Sequence, residues 1–254
     1  MIKRIESAQN SRVKQWKKLH TKKEREKTGL FLIEGRHLVE EALKYKTVVK
    51  EIIVREGEEF SAINIGEANV TEVTKEVMKL LTDTETPQGI IAVCEMPKPC
   101  KIELSSSPLR LLLIDNVQDP GNLGTMIRTS DAVGIDAVIL GDGCVDLYNG
   151  KTIRSTQGSL FHIPIIKGNL TTWIDELTRE NIKVFGTALD NARDYKEVPS
   201  QQQRFALLVG NEGNGVNREL LKMTDENIYI PIFGEAESLN VSIATGILLY
   251  HLRG

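Results

Sequence analysis

The sequence is most informative first for what it lacks. Three cysteines in 254 residues, Cys94, Cys100 and Cys144, form no Cys-x-x-Cys pair. An odd count at irregular spacing excludes a disulfide framework and a zinc site, so all three are read as reduced structural thiols. The four histidines, His20, His37, His162 and His251, show no ligand spacing either, and no metal is expected. No apolar run approaches the roughly 20 residues a bilayer span needs. Residues 1–7 carry Lys3, Arg4 and Glu6 with no apolar stretch behind them, so no membrane association and a cytoplasmic location are expected. A G-x-x-x-x-G-K-[ST] phosphate loop is absent, which speaks against nucleotide hydrolysis.

What is present is a soluble composition, 41% apolar and 26% charged, with its charge unevenly spread. Residues 1–50 hold 14 Lys and Arg against 6 Asp and Glu. The remainder is acidic, since the whole chain carries a formal charge of −3. A basic end on an acidic body suits a polyanionic partner, and a solvated lysine-rich helix is the alternative.

Two textures meet near residues 96–108, a stretch rich in Pro and Ser, so domains over 1–100 and 109–254 are expected with a linker at 101–108. Before it the spacing predicts a helix around Val13, Trp16 and Leu19, a strand at 31–33, a helix at 37–43, a strand at 48–54, a helix at 74–81 and a strand at 89–93. After it, strands are expected at 109–114, 137–140, 161–166, 184–188, 205–209 and 228–232. Helices are expected near 123–133, 148–157, 171–180, 218–223 and 241–252. Short, nearly all-apolar strands separated by helices indicate an α/β fold with a parallel sheet covered on both faces. Ligands of such sheets bind beyond the carboxyl ends of the strands, which directs attention to the loops at Asp115, Gly210 and Phe233.

The first loop runs from Asp115 to Arg128. Pro120 and Gly121 predict a turn, Asn122 an N-cap, and the six-residue interval places the Arg128 guanidinium almost two helical turns on. Either residue could be functional, or a plain cap and a surface arginine. The second loop, Leu207-Leu-Val-Gly-Asn-Glu-Gly-Asn-Gly215, sets glycines past a buried strand, where a ligand can approach the backbone, with Glu212 inside the turn. Its spacing is not the G-x-G-x-x-G of a dinucleotide fold, and it comes late in the domain, which disfavours a nicotinamide enzyme. The third loop, Ile230 to Ala244, brings Ser238 and Asn240 to the mouth of a final helix too apolar to face solvent on all sides. That helix is expected to be buried, in part against another subunit.

Together Asn122–Arg128, Leu207–Gly215 and Ile230–Ala244 resemble the three ordered motifs of the SpoU/TrmH branch of the SPOUT methyltransferases, over essentially all of residues 109–254. A looser resemblance, carried by Ser7–Lys14 and Gly29–Gly35, links the N-terminal stretch to the small α/β substrate-binding domain of ribosomal-RNA members. The resemblance implies a SPOUT domain with a deep C-terminal trefoil knot, a homodimer through that domain, and S-adenosyl-L-methionine as cofactor. It implies methylation of a ribose 2′-hydroxyl of structured RNA, ribosomal in preference to transfer RNA. By position Gly210, Asn211, Ile230, Ser238 and Leu239 would hold the cofactor. Arg128, Asn122, Glu212, Ser238 and Asn240 would form the catalytic set. The basic residues Arg12, Lys14, Lys17, Lys18, Lys22, Lys23 and Arg25 would supply phosphate contacts. Trp16 either stacks on an unpaired base or belongs to the core. The competing readings are a transfer-RNA 2′-O-methyltransferase and a non-catalytic RNA-binding or ribosome-assembly protein.

Overall fold

Hydrophobic periodicity builds separate apolar clusters in two units. The structure, a computed structural model, describes all residues except 1, 2, 46, 62 and 67. It divides into a unit of Met1–Lys98 with Asp146–Phe161, and a unit of Pro99–Val145 with His162–Gly254. Residues 146–161, expected in the C-terminal domain, thus fold with the N-terminal one. Among the described residues no helix is long and apolar enough to cross a membrane.

The first half of the chain forms β1 (Lys3–Ile5), α1 (Ser11–Lys18), α2 (Lys22–Thr28), β2 (Leu30–Glu34), α3 (Arg36–Lys44), β3 (Val49–Arg55), β4 (Asn69–Val73), α4 (Lys75–Leu81) and β5 (Ile90–Glu95). There follow β6 (Leu109–Ile114), α5 (Pro120–Val133), β7 (Ala137–Leu140), α6 (Gly150–Thr156), β8 (Ile165–Lys167), α7 (Leu170–Arg179) and β9 (Lys183–Thr187). The chain ends with β10 (Arg193–Asp194), β11 (Arg204–Val209), α8 (Arg218–Leu221), β12 (Glu226–Tyr229) and α9 (Val241–Arg253).

In the first unit the strand order is β1-β4-β3-β5-β2, with β1, β4 and β3 parallel and β5 antiparallel to both neighbours. Period-2 alternation sorts its strands onto two faces. Phe31, Ile33, Ile52, Val54, Ala92 and Cys94 pack with Leu38, Val39 and Ala42 of α3 and with Ile153 of α6. Ile53, Ile91 and Val93 pack on the other face with Val13, Trp16, Val77 and Met78. Trp16 is therefore core, and the stacking alternative is set aside. Tyr148 meets Phe31 at 4.6 Å between ring centroids, which anchors 146–161 to this sheet.

The helix α2 has no apolar face, and the one residue it buries is Arg25. Its Nη1 donates to the Leu19 carbonyl at 2.7 Å, and its Nη2 pairs with Asp146. Arg25, expected to grip phosphate, is instead a structural cation, because a buried guanidinium is tolerated only with acceptors around it. Of the cysteines, Cys94 is buried, and burial pushes its thiol up to about 12. Cys100 is exposed, which corrects its reading as a structural thiol.

The second unit is one sheet in the order β10-β12-β9-β11-β6-β7-β8, every pairing parallel. Leu111, Leu113, Ile139, Val184, Ala206 and Leu208 pack with Ile174 and Leu177 of α7 and Leu220 of α8. Phe185 and Phe205 are fully buried, and truncating either to alanine would cost about 3–5 kcal/mol. α9 packs against α5 and β11. Its far end is strapped by the segment before β11, where Gln202 N donates to Leu252 O at 2.8 Å and the His251 Nε2 lies 2.8 Å from Val198 O.

Candidate active site

Sheet order decides where chemistry can assemble. β12, β9, β11 and β6 are neighbours, so the loops leaving their carboxyl ends, at Ile230, Ala188, Gly210 and Asp115, emerge side by side. The loops after β12, β9 and β11 line a cavity of about 820 Å³, within the roughly 300–1,000 Å³ usual for small-ligand sites, and the loop at Asp115 packs on the 211–217 turn beside it. Gly210, Asn211, Glu212, Ile230, Ser238 and Leu239 all line it. A Cβ on Gly210 would lie 2.2 Å from the Gly215 carbonyl carbon and the Val216 nitrogen, so only glycine permits this approach.

Glu212 ties the loops together. Its Oε1 accepts from Asp119 N (3.1 Å) and Asn122 Nδ2 (3.1 Å), and its Oε2 from Gln118 N (3.2 Å). Burial works to raise its carboxyl, but the hydrogen bonds from Asn122 and from backbone amides outweigh it, leaving Glu212 below its usual value. Asn122 in turn accepts at Oδ1 from Asn240 Nδ2 (3.0 Å) and Ser242 Oγ (3.2 Å). The carboxylate thereby holds the nitrogen end of an amide whose oxygen end is held by Asn240 and Ser242, which joins α5 to α9. Asn240 caps α9 as well, its side chain accepting from Ser242 N.

Several details differ from the sequence reading. Asp119, not Asn122, caps α5, with Pro120 at the first helical position. The side chain of Asn122 is thereby released to bind Glu212. Asn211 lines the cavity, but its amide is committed to the turn: Oδ1 accepts from Gly213 N and Asn214 N, and Nδ2 donates to Asn116 O. Arg128 is exposed, is not among the residues lining the cavity, and makes no hydrogen bond or ion pair among the described residues. The cause is the helix itself, because Leu123, Met126, Ile127 and Ser130 take the buried face of α5 and turn Arg128 outward. Ser242, through its hydroxyl on Asn122, and the Thr187–Asn191 wall of the cavity were not anticipated. The strand-end rule that found the other loops would have found the one after β9, and the Asp-Pro pair at 119–120 signals the true cap.

In the first unit Lys14, Lys17, Lys18 and Lys23 are exposed with no ion pair among the described residues. Lys22 is exposed and 3.8 Å from Glu26. Arg12 pairs with Glu51 and lies 5.3 Å from the Trp16 ring, which withdraws it in part from any partner.

The residues around the cavity fit S-adenosylmethionine, a ligand with an adenosine end, a charged amino-acid end and little bulk. From Pro231 to Leu239 no backbone amide or carbonyl has a hydrogen-bond partner among the described residues, leaving donors and acceptors for a purine edge and ribose hydroxyls. Ile230, Ile232, Leu239 and Leu248 supply apolar walls.

Solved structures with this architecture cover almost the whole chain. An AdoMet-bound rRNA methyltransferase from Sinorhizobium meliloti superposes with a TM-score of 0.86 at 32% identity, over 99% of this chain and 97% of that one. The SpoU methyltransferase AviRb from Streptomyces viridochromogenes, in complex with AdoMet, does so at 0.85 and 26% identity, over 96% and 97%. The class defined by fold and cavity is thus that of the SPOUT-type methyltransferases.

Within that class the chain belongs to the SpoU rRNA Methylase family, whose profile matches residues 109–250. Residues 10–92 match the MRM3-like substrate binding domain. A 23S rRNA (guanosine(2553)-2′-O)-methyltransferase, RlmP, of Bacillus subtilis (strain 168) is 56% identical over 253 residues, 100% of both chains.

Proposed function

We propose that this chain transfers a methyl group from S-adenosylmethionine to the 2′-hydroxyl of a 23S rRNA guanosine, at the position named for the Bacillus subtilis relative. The observation that carries the reading is the Glu212–Asn122–Asn240 network at the rim of a cavity walled by an unpaired backbone loop. Gly210, Ile230 and Leu239 hold the cofactor through their backbones, with Ser238 beside them. The threading expected of a trefoil knot belongs to the same reading, the strap at 198–202 closing over α9.

When bound, the cofactor supplies a sulfonium methyl that is already activated. The protein's task is then to hold the ribose oxygen in line and to ease loss of its proton, so positioning dominates. Glu212 orients Asn122, and Asn122 with Asn240 sets the spacing of α5 and α9 at the site. A guanidinium keeps its charge and is a poor base. Arg128 therefore clamps a neighbouring phosphate and stabilises negative charge developing on the 2′-oxygen, while the proton leaves to phosphate or water.

Because Arg128 faces outward, we assign it to the cavity of a second copy in a homodimer built on α9 and α5. Ile243 and Tyr250, seven residues apart on α9, are 56% and 58% exposed, and such a dimer would cover them. Mixing inactive Arg128→Ala protein with inactive Gly210→Ala protein is expected to restore turnover by complementation. No recovery in mixtures shown to exchange subunits would place the arginine in its own chain's site.

The reading as a whole is tested by calorimetry with S-adenosylmethionine and label transfer to a 23S rRNA transcript spanning the target, with transfer RNA as the comparison. Cofactor uptake and preferential labelling of the ribosomal transcript are expected. Protein that binds RNA but takes up no cofactor would leave only the non-catalytic reading.

A further inference from the structure

Phe233 is the most exposed large apolar side chain among the described residues, at 89%. It stands between Ile232 and Glu237, both of which line the cofactor cavity. An aromatic ring left in water at the lip of the site is not explained by packing.

It also does not stand alone. Lys196 Nζ lies 6.0 Å from the centroid of the Phe233 ring and 6.0 Å from that of Tyr195. Tyr195 is held from behind by His251, ring centroids 5.0 Å apart and edge-on. The His251 Nε2 lies 2.8 Å from Val198 O, which fixes that imidazole in place. A cation thus lies at 6.0 Å from each of two rings, one braced and one open to solvent, and Lys196 has no ion pair among the described residues.

We propose that Phe233 is a stacking platform for an unpaired base of the RNA substrate at or beside the methylated nucleotide, with Lys196 contacting the adjoining phosphate. The assignment rests on the methyltransferase reading above and deepens it by naming how the target strand is held at the cavity. A ribose that reaches the cavity must pass this lip with its base splayed out, because single-stranded RNA is read by aromatic faces once its bases are unstacked. Glu235 and Glu237, both exposed on the same loop, repel a sugar-phosphate backbone laid along it. The flat face of a base carries no such charge, so the loop favours a base over a phosphate run, and the one phosphate contact falls to Lys196 outside it. A second copy of the chain seated on Phe233 would instead cover the cavity mouth that the acceptor needs.

The test compares wild-type protein with Phe233→Ala and Phe233→Trp, using S-adenosylmethionine and a 23S rRNA transcript containing guanosine 2553. Phe233→Ala is expected to raise the KM for RNA roughly tenfold or more, the loss that follows removal of one base–aromatic stack. Cofactor affinity and sedimentation coefficient should stay unchanged, and Phe233→Trp should restore the KM. An active wild type with an unaltered RNA KM in Phe233→Ala would overturn the assignment alone. So would a fall in sedimentation coefficient, which would give Phe233 to a dimer contact, or a loss of cofactor binding, which would give it to the cofactor. Wild-type protein that takes up no cofactor and moves no methyl would remove the methyltransferase reading and this assignment with it.

Discussion

Arginines taken from the two units use positive charge in opposite ways. In the first unit Arg25 has a side chain only 6% exposed and is paired to Asp146, and Arg12 is paired to Glu51. The lysines around them, Lys14, Lys17, Lys18 and Lys23, stand exposed. In the second, Arg128 is exposed with no hydrogen bond or ion pair among the described residues, whereas Glu212, Asn122 and Asn240 are bonded to one another. Sequence position and residue type do not separate these cations, but burial and partners do. A buried, paired guanidinium holds a fold together, and an exposed one without a partner is available to a ligand.

Replacing the committed cation should give the largest effect. Arg25→Ala leaves Asp146 without its counter-charge, and a loss of about 3–5 kcal/mol in stability is expected, read from urea unfolding. The salt dependence of RNA binding should hardly move. Arg128→Ala should do the reverse, lowering single-turnover methyl transfer by roughly 10²–10³-fold with cofactor affinity and melting temperature near wild type. Equal loss of turnover and stability would erase the distinction between the two arginines.

A smaller effect is expected from pH at Glu212. Its carboxyl titrates lower in the folded protein than when unfolded, so it contributes stability that is present above the unfolded value and is lost as pH falls through the folded one. Acidification below about pH 4 should lower the urea midpoint of wild type more than that of Glu212→Gln. Parallel curves would show that the loops are held by something else. The smallest effect per site belongs to the lysines. Changing Lys14, Lys17, Lys18 and Lys23 together to glutamine should reduce the slope of log affinity against log salt by roughly 0.7 for each phosphate no longer neutralised, and an unaltered slope would move the RNA to another face.

What the sequence made legible follows from the same physics. β7 is apolar throughout, and β6 and β11 are so apart from Arg110 and Arg204 near their starts, as strands buried on both faces require. The three motif loops were legible because they follow such strands. α2 was not, since Lys-Lys-Glu-Arg-Glu-Lys-Thr offers no apolar period and its buried contact is an ion pair to a residue 121 positions away. β4 was missed for a related reason: Thr71 is buried because its hydroxyl donates to Glu51, a partner on the neighbouring strand. The association of residues 146–161 with the first unit likewise rests on Arg25 and Phe31, which local pattern does not register. The outward turn of Arg128 was implicit in the apolar positions of α5, while Gln118, Asp119 and Asn122 reach Glu212 from a stretch 90 to 94 positions away that only the folded sheet brings beside it.

Acceptor chemistry is the most direct check on the proposed function. Two 23S rRNA transcripts, identical except for guanosine or 2′-deoxyguanosine at the target position, are offered to the protein with labelled S-adenosylmethionine. Label on the ribose transcript and none on its deoxy counterpart is the expected result. Equal labelling of both would place the methyl on a base and contradict a site built to act on a sugar oxygen.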